Sequence, residues 1–370
     1  MKRHISVILD LQFGSTGKGL IAGFIAERDQ PDTIVTAWAA NAGHTHIDRS
    51  GRKFIHTMLA NGIVSRKLEQ VLLGPGSVID PDNLMAEIEQ CLDVLGNARI
   101  LCHANAAIIT QAHRDEEAGP MTKIGSTKKG CGAAAIHRIR RNPDDLNNAA
   151  TLLANHPVSK YVKVVSPLEY NAALDSARVI QVEGAQGYSL SMYHGFYPYC
   201  TSRDVSTAQV LADCGIPLSW KFGTINVIGT ARTYPIRVAN RFNEQGEQVG
   251  WSGPAYDDQE ETSFEAIGQQ TELTTVTKLP RRIFTFSEKQ IQQAIRQNGV
   301  GEVFLNFVNY CKDENELLDI CSKINRAGAR VRYLGLGPTV EDVYDLDVHT
   351  LHGHAEAGKY AAKLFAQQEA

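Results

Sequence analysis

The stretch VILDLQFGSTGKGL, residues 7–20, runs from an apolar strand through a glycine-rich turn into a helical pattern. Further short apolar runs with strand character follow along the chain, at 33–38, 71–73, 100–102, 179–182, 225–228, 303–307 and 331–334. Strands that alternate with helices are typical of a parallel sheet. We therefore predict an α/β fold around a largely parallel central sheet with helices on both faces.

The segment after residue 80 predicts one of these helices. Asp80 or Asp82 is a suitable N-cap. The apolar positions that keep a 3.6-residue period are Leu84, Ile88, Leu92 and Leu95. Two other segments, 112–132 and 239–282, are polar and weakly periodic, and we predict loops there. Long polar loops in a compact domain are more often functional than idle.

The charge balance excludes some classes of partner. The 370 residues carry a net charge of −4, with 43% apolar and 21% charged residues, which is ordinary for a soluble globular protein. This balance supplies no general attraction to nucleic acid or to an anionic membrane, so we expect neither partner. Any phosphate binding must use local basic residues and backbone N–H groups.

The cysteines indicate the redox state of the cellular compartment. There are seven, widely scattered and without a CxxC pair, which favours free thiols in a reducing cytoplasm. The N-terminal apolar run is broken at Asp10 and Gln12, so we interpret it as a first strand rather than a signal peptide. No apolar stretch approaches the roughly 20 residues of a membrane span.

The turn Gly14–Gly19 is the strongest local signal for function. Its glycines free the backbone to approach an anion, and the following helix N-terminus and Lys18 supply positive potential. The alternative is a tight strand-to-helix turn with a solvated lysine. The spacing differs from GxxxxGK[ST], and a serine, Ser15, precedes the threonine.

Three further segments offer groups that suit a nucleotide. NAGHTHI (41–47) places His44 among polar loop residues, as a general acid or phosphate contact requires, although a lone loop histidine is usually only surface. IGSTKKG (124–130) and YPYCTSRD (197–204) offer hydroxyls beside backbone donors, which suit a phosphate, although such clusters are usually turns.

Two more segments complete the set. VEGAQG (182–187) follows a strand and aims Gln186 at a cleft, where an amide suits a purine edge or a ribose. ELTTVTKLPRR (272–282) sets three threonines against basic residues, and arginine forks match carboxylates. A basic surface loop is the alternative for this last segment.

These motifs in this order resemble adenylosuccinate synthetases from end to end: QFGSTGKG, NAGHT, IGST, EGAQG, YPYCTSR, TTVTK with RR, and GLGPT. The resemblance implies one α/β domain over residues 1–370 and a homodimer. It also implies a ligase that joins L-aspartate to C6 of a purine nucleotide. A nucleoside triphosphate first phosphorylates O6, and aspartate then displaces that phosphate.

The resemblance also implies the site residues. Those expected at the triphosphate are Ser15, Thr16, Gly17, Lys18, Gly19, Gly43, His44, Thr45, Arg281, Asn306, Asn309, Gly335 and Gly337. Those expected at the acceptor nucleotide are Ser15, Asn41, Ser126, Thr127, Arg141, Gln186 and Thr201, with Arg141 reaching across the dimer. Those expected at aspartate are Thr274, Thr275, Thr277 and Arg281. The catalytic set is Ser15, Lys18 and His44, with His44 as general acid at O6, and Ser15 and the Gly43 carbonyl are the expected Mg²⁺ ligands.

One departure from the family concerns the acceptor. The family has Asp-Glu where this chain has Ser15-Thr16, and that aspartate removes the N1 proton of inosinate. A serine hydroxyl is a poor base near pH 7, but it leaves space for a 2-amino group beside N1. This is the pattern of the compact viral members that use dGMP, so we expect dGMP as acceptor.

The second departure concerns the donor. The family reads the guanine of GTP with Lys-x-Asp just after a strand, and those positions are Phe307 and Asn309 here. A neutral amide can both donate and accept, so it can pair with adenine, and we expect ATP or dATP. The alternatives are an ordinary synthetase acting on IMP, a non-catalytic nucleotide-binding homologue, and a plain P-loop phosphotransferase or GTPase.

Overall fold

The computed structural model of the chain describes residues 3–118, 123–124, 126–144, 147–217, 223–274 and 278–348. Its strands are β1 His4–Asp10, β2 Thr33–Thr36, β3 His44–Ile47, β4 Lys53–His56, β5 Gln70–Leu73, β6 Val78–Ile79, β7 Arg99–His103, β8 Ala107–Ile108, β9 Val162–Val165, β10 Val179–Gly187, β11 Thr224–Arg232, β12 Ile236–Arg237, β13 Arg241–Phe242, β14 Gln248–Gly250, β15 Glu261–Thr262, β16 Arg282–Phe284, β17 Glu302–Asn306, β18 Arg330–Gly335 and β19 Val343–Asp345. Its α-helices are α1 Lys18–Asp29, α2 Pro81–Gln90, α3 Leu92–Leu95, α4 Gln111–Glu117, α5 Cys131–Arg140, α6 Ala149–Leu152, α7 Pro167–Ser176, α8 Thr207–Asp213, α9 Glu288–Asn298 and α10 Glu314–Arg326.

Ten of these strands form one sheet, in the order β19-β18-β17-β11-β1-β10-β2-β5-β7-β9. Every neighbouring pair is parallel except β18 with β19. The predicted largely parallel sheet is therefore confirmed. Because β10, β1, β11, β17 and β18 are adjacent and parallel, the loops that leave their carboxyl ends meet along one edge of the sheet.

The two faces of the sheet are covered by different helices. In β1, Ile8 packs with Ile21 of α1 in one buried core. Its neighbours Val7 and Leu9 belong to another core, which includes Ile291 of α9. Successive side chains of a strand point to opposite faces, so this division follows from the strand's period of two. Helices on both faces are confirmed.

The predicted helix after residue 80 is correct at its start and wrong at its end. Asp80 caps α2, because its carboxylate accepts the Asn83 N–H at 3.3 Å. The helix ends at Gln90, since Cys91 leaves the helical conformation with φ −117° and ψ 12°. A separate short turn, α3, follows, and Leu92 is 48% exposed rather than buried.

Three other local predictions need correction. Part of the segment 112–132 is helical in α4, where the buried Glu117 accepts backbone N–H groups at the start of α5. The strand predicted to reach Phe307 stops at Asn306, because Phe307 takes a positive φ of 59°. His44, predicted in a loop, begins strand β3 of a hairpin with β4.

This hairpin carries two buried histidines. His46 is wholly buried, and neither ring nitrogen has a hydrogen-bond partner among the described residues. The Nε2 of His56 lies 3.3 Å from the Cys91 Sγ. Burial lowers the pKa of His46 and of His56 to about 4. Both rings are therefore neutral near pH 7, as their burial requires. His46 packs behind α1, where a side chain on Gly23 would overlap its ring.

All seven cysteines are free thiols, as predicted. Within the described ranges, the helices are too short or too polar for any of them to cross a bilayer.

Candidate active site

The turn Gly14–Gly19 joins β1 to α1 at the carboxyl edge of the sheet. Gly17 is the N-cap of α1 with φ 90°, and Gly14 has φ 95°. A side chain on Gly17 would overlap the Asn306 amide, and one on Gly19 would lie 2.6 Å from the Thr45 carbonyl. The turn can therefore approach its neighbours only as glycine, and its N–H groups and the helix N-terminus form a ready anion site.

A carboxylate that the sequence reasoning missed shapes this turn. Asp10 is buried and accepts four hydrogen bonds: from the Gln12 N–H at 2.8 Å, the Gly14 N–H at 3.2 Å, the Thr16 hydroxyl at 2.6 Å and the Lys18 ammonium at 3.2 Å. The signal was a charged residue inside an apolar strand. Asp10 holds the turn in place with both of its oxygens.

Lys18 links the turn to two other predicted segments. Its ammonium is buried and donates to Asp10 and, at 2.9 Å, to the Gln186 carbonyl. The Gln186 amide donates in turn to the Asn41 side chain at 2.9 Å. The structure thus brings Lys18, Gln186 and Asn41 together.

His44 belongs to a buried hydrogen-bond network. Its Nδ1 is 2.6 Å from the Glu183 Oε1, and its ring centroid is 4.0 Å from that of Trp38. Glu183 also accepts the Asn61 N–H at 2.8 Å, and Trp38 donates to the Glu183 carbonyl at 2.6 Å. Glu183 lies inside the motif EGAQG, yet only the glutamine of that motif stands out from the sequence.

The electrostatics of this pair have a clear direction. Burial lowers the pKa of His44, and the nearby Lys18 charge acts the same way, against Glu183. Burial alone would raise the pKa of Glu183, but hydrogen bonds from His44 and Asn61 hold that pKa below its usual range. A neutral His44 therefore donates from Nδ1 to an ionised Glu183, and its Nε2 keeps a lone pair.

Asn306 connects the turn to strands β17 and β18. Its amide donates to the Thr16 carbonyl at 3.3 Å and accepts the Phe307 N–H at 2.8 Å. A side chain on Gly335 would overlap the same amide, so Gly17, Asn306 and Gly335 lie close together. Gly337 packs instead against Asp342, and Asn309 is exposed on a short 3-10 turn.

The residues expected at the acceptor lie farther out. Ser126, Thr127 and Thr201 are half-buried; the Ser126 carbonyl accepts from Arg241 at 2.7 Å, and the Thr201 N–H donates to Leu190 at 2.7 Å. Arg141 is exposed just beyond α5. Neither of these two hydrogen bonds reaches the glycine turn.

Part of the aspartate segment can be described. Thr274 is buried, and its hydroxyl accepts the Leu279 N–H at 3.0 Å. Arg281 is half-buried, and its Nε donates to the Leu273 carbonyl at 3.3 Å. The two remaining expectations, Thr275 and Thr277, lie outside the described residues.

Two groups of residues emerge. The inner cluster is Asp10, Thr16, Lys18, His44 and Glu183, all buried. The outer loops are the described parts of 126–130, 197–204 and 272–282.

Backbone strain is concentrated in the same segments. Among the described residues, the non-glycine residues with positive φ are Ser15, Gln30, Lys128, Arg141, Gln186, Lys278 and Phe307. All but Gln30 lie in predicted substrate segments, and such strain concentrates at functional sites.

The expected Mg²⁺ ligands are both exposed. Ser15 offers a hydroxyl and Gly43 a carbonyl, the hard oxygens that Mg²⁺ prefers. In the part of the chain that the structure describes, no three histidine, cysteine or acidic side chains gather as a metal site. This donor set fits an ion held mainly by nucleotide phosphates, which is the usual arrangement for Mg²⁺.

Comparison with known proteins gives the family. A family model described as adenylosuccinate synthetase matches residues 7–152 and 145–364. The chain belongs to the adenylosuccinate synthetase family. This confirms the resemblance drawn from the motifs, and with it the expectation of a carbon–nitrogen ligase.

Within the adenylosuccinate synthetase family, phage proteins are the more similar relatives. A protein of Salmonella phage PMBT28 is 53% identical, over 94% of this chain and 98% of its own length. One of Acinetobacter phage SH-Ab 15497 is 52% identical, over 92% and 93%. Both are named N6-succino-2-amino-2'-deoxyadenylate synthase. The adenylosuccinate synthetase of Pyrococcus horikoshii is 28% identical, over 92% and 97%.

Solved structures of the adenylosuccinate synthetase family have the same fold as this chain. The succinoaminodeoxyadenylate synthetase of cyanophage S-2L, described as bound to dGMP and to dATP as an energy donor, superposes with a TM-score of 0.88 at 45% identity. The match covers 98% of this chain and all of the cyanophage chain. The Plasmodium falciparum adenylosuccinate synthetase, at 19% identity and a TM-score of 0.71, shows the shared fold.

Proposed function

We propose that the chain joins the amino group of L-aspartate to C6 of dGMP, with ATP or dATP as phosphoryl donor. The products are N6-succino-2-amino-2'-deoxyadenylate, phosphate, and ADP or dADP. In the first step the γ-phosphoryl group passes to O6 and the N1 proton leaves. In the second step the aspartate amine bonds to C6 and loses a proton, the C6–O6 bond breaks, and phosphate departs with the bonding electrons.

Ser15 is the observation that carries the choice of dGMP. It is exposed at φ 58° in a turn that keeps its glycines and Lys18, at the position where the family places its aspartate base. A small neutral hydroxyl accepts an N–H of the guanine edge without crowding the 2-amino group and without desolvating a charge. The names of the phage relatives and of the S-2L structure support the same substrate.

The donor triphosphate would bind at Gly14–Gly19. The turn's N–H groups and the N-terminus of α1 would bind the phosphates, and the buried Lys18 would add a positive charge. Ser15 and the Gly43 carbonyl would hold Mg²⁺ together with the phosphates, and the ion would supply charge neutralisation there. Asp10 keeps Lys18 and Thr16 in position.

His44 would act as the general acid at O6. Glu183 fixes its ring through Nδ1, which leaves Nε2 as the nitrogen that would carry the transferred proton. In the protein alone His44 is neutral, and the negative phosphates that enter the site raise its pKa and favour the protonated form. The Glu183 carboxylate stabilises that cation in place.

The outer loops would hold the acceptor and aspartate. Ser126, Thr127 and Thr201 suit the 5′-phosphate of dGMP, and Arg281 suits a carboxylate of aspartate. Arg141 is exposed just after α5, and Ile139 near the end of that helix is 76% exposed. This surface supports a homodimer in which Arg141 reaches the partner's acceptor nucleotide. The free thiols suit a cytoplasmic protein.

The donor base would lie beside Phe307 and Asn309. Asn309 is exposed, so its amide is available to the edge of an adenine. Losing the family's charge-assisted contact to guanine removes a large part of the discrimination in favour of GTP.

A phosphate-release assay tests the proposal. IMP, GMP and dGMP are crossed with ATP, dATP and GTP, each with and without L-aspartate. We expect aspartate-dependent phosphate release to be greatest with dGMP and an adenine donor. Turnover of IMP without turnover of dGMP would favour the ordinary synthetase instead.

The Ser15→Asp variant adds a direct test of the acceptor, because it restores the family's carboxylate in the same turn. We expect this variant to use dGMP less well and to gain activity on IMP. Ser15→Ala is the matched control, since it removes the hydroxyl without adding a charge, and it should lose dGMP activity without gaining IMP activity.

A further inference from the structure

Arg232, the last residue of β11, is a wholly buried cation. Its backbone is fixed by the Gln12 side chain, which accepts the Arg232 N–H at 2.9 Å and donates to the Arg232 carbonyl at 3.1 Å. Because β11 lies next to β1, this fixed residue stands at the sheet edge where the glycine turn begins.

Three separate segments meet on the Arg232 guanidinium. Glu272, at the start of the aspartate segment, binds both terminal nitrogens, at 2.5 and 3.2 Å. The Ser15 carbonyl of the glycine turn lies 3.4 Å from one of them. The guanidinium carbon lies 3.8 Å from the ring centroid of Phe307, and the Tyr310 hydroxyl donates to Glu272 at 3.1 Å.

Glu272 also reaches the arginine proposed to bind aspartate. Its carbonyl accepts the Arg281 N–H at 2.9 Å. Burial alone would raise the pKa of the Glu272 carboxyl, but the Arg232 charge holds that pKa below its usual range. Glu272 is therefore an anion, held between Arg232 and Tyr310 at one end and attached to Arg281 through its backbone.

The arrangement is poorly explained by stability alone. A buried ion pair contributes little, because the cost of removing both charges from water offsets their attraction. What it supplies is geometry. A bidentate fork sets the angle of Glu272, and the flat face of the same fork sets the plane of the Phe307 ring.

We infer that the Arg232–Glu272 pair couples the binding of L-aspartate to the binding of the donor nucleotide. The inference rests on the proposed function, which places the donor base beside Phe307 and aspartate beside Arg281. A base that packs against Phe307 fixes the ring on which Arg232 lies, and Arg232 then holds Glu272 and the start of the aspartate segment. Both are positioning residues, and the coupling is reciprocal by thermodynamic necessity.

Calorimetric titration of the full chain tests this coupling. L-aspartate is titrated with and without saturating β,γ-imido-ATP and Mg²⁺, an analogue that binds as a donor but transfers no phosphoryl group. We expect the analogue to tighten aspartate binding by about 5-fold or more in the wild type. In Glu272→Gln the factor should fall below about 2-fold, and in Tyr310→Phe, which removes one contact to Glu272, it should be intermediate.

Glu261→Gln is the matched control. It makes the same change in the neighbouring Arg282–Glu261 pair, in which a terminal nitrogen of Arg282 lies 2.6 Å from the Glu261 Oε2. In this variant the analogue should tighten aspartate binding by the same factor as in the wild type. Thermal unfolding checks that each variant is folded. If Glu272→Gln does not fold, Tyr310→Phe decides the question. If the analogue then tightens aspartate binding in Tyr310→Phe by the same factor as in the wild type, the inference is overturned.

Two further outcomes keep the inference separate from the proposed function. Absence of coupling in the wild type, or full coupling in a folded Glu272→Gln, overturns the inference while dGMP turnover stands. Loss of coupling in Glu272→Gln in a protein that does not turn over dGMP supports the inference and removes only the proposed acceptor. If the wild type does not bind the analogue, the adenine-donor assignment fails and the inference fails with it.

Discussion

The inner cluster and the outer loops are built in opposite ways. In the inner cluster, buried charged and polar groups satisfy one another: the Asp10 carboxylate accepts four hydrogen bonds, and the Glu183 carboxylate holds His44 and Asn61. In the outer loops, Thr127, Thr201 and Arg281 are half-buried and stand on irregular segments. One region is fixed before any substrate arrives, and the other offers groups that a substrate completes.

This difference separates the steps that each region serves. Groups that are already oriented in a dry site stabilise charge as it develops, so their loss lowers kcat. Groups that only grip a substrate contribute equally to the ground state and the transition state, so their loss raises KM. Single substitutions in each region can therefore test whether the two regions differ in this way.

His44→Asn should have the largest effect. Removing the general acid is expected to lower kcat by about 10²–10⁴-fold, with a much smaller change in the KM for dGMP. Steady-state phosphate release at saturating substrates measures this. Glu183→Gln is the companion variant, because it keeps the size and removes the charge that fixes the ring, and its loss of kcat should be smaller. A His44→Asn enzyme that changes only KM would remove the distinction between the two regions.

Arg281→Ala should act on binding. Charge-assisted arginine–carboxylate contacts contribute on the order of 1.5–3 kcal/mol, so the KM for L-aspartate should rise about 10- to 100-fold. The KM for dGMP should stay near the wild-type value, which serves as the internal control. Kinetics in which only a nucleotide KM moves would remove Arg281 from the aspartate site.

Asn309→Asp should have the smallest effect, since Asn309 is exposed and belongs to neither region. We expect the ratio of kcat/KM for GTP over ATP to rise, by about 10-fold, because a carboxylate accepts two guanine N–H groups at once. The shift is partial, since Phe307 stands where the family has lysine. Competition between the two donors measures it, and a wild type that already prefers GTP would contradict the assignment.

Much of the fold could be predicted because local sequence patterns determine it. The β1 strand, the glycine turn and α1 were found from an apolar run, three glycines and helical periodicity. The errors lie where tertiary contacts override a pattern. The helix after residue 80 stops at Gln90 although its apolar spacing continues, and Phe307 leaves the strand that its apolar character suggests.

Site residues that belong to glycine-rich motifs could be predicted from the sequence. Site residues whose role depends on buried contacts could not. Lys18, His44 and Gln186 stood out as polar residues in glycine-rich loops. Asp10 and Arg232 did not, because each lies inside or at the end of an apolar strand, and a sequence does not show which charges a fold brings together. That Arg232 lies on Phe307 depends on the pairing of β11 with β17 in the sheet.

The two buried histidines of the β3–β4 hairpin, His46 and His56, limit the stability of the protein in acid. Their pKa is about 4 when folded and near 6.5 when exposed, so below pH 6.5 the unfolded chain binds more protons than the folded one. The free energy of unfolding that they secure is present above pH 6.5 and is lost as pH falls toward 4, by about 3 kcal/mol for each ring.

Urea titrations at pH 7.5, 6.0 and 5.0 should show this decline, and His46→Asn should flatten part of it. A pH-independent midpoint over that range would contradict the account. In practical terms, the hairpin that packs behind α1 loses stability in mild acid, so a sample handled near pH 4.5 should lose nucleotide binding by unfolding.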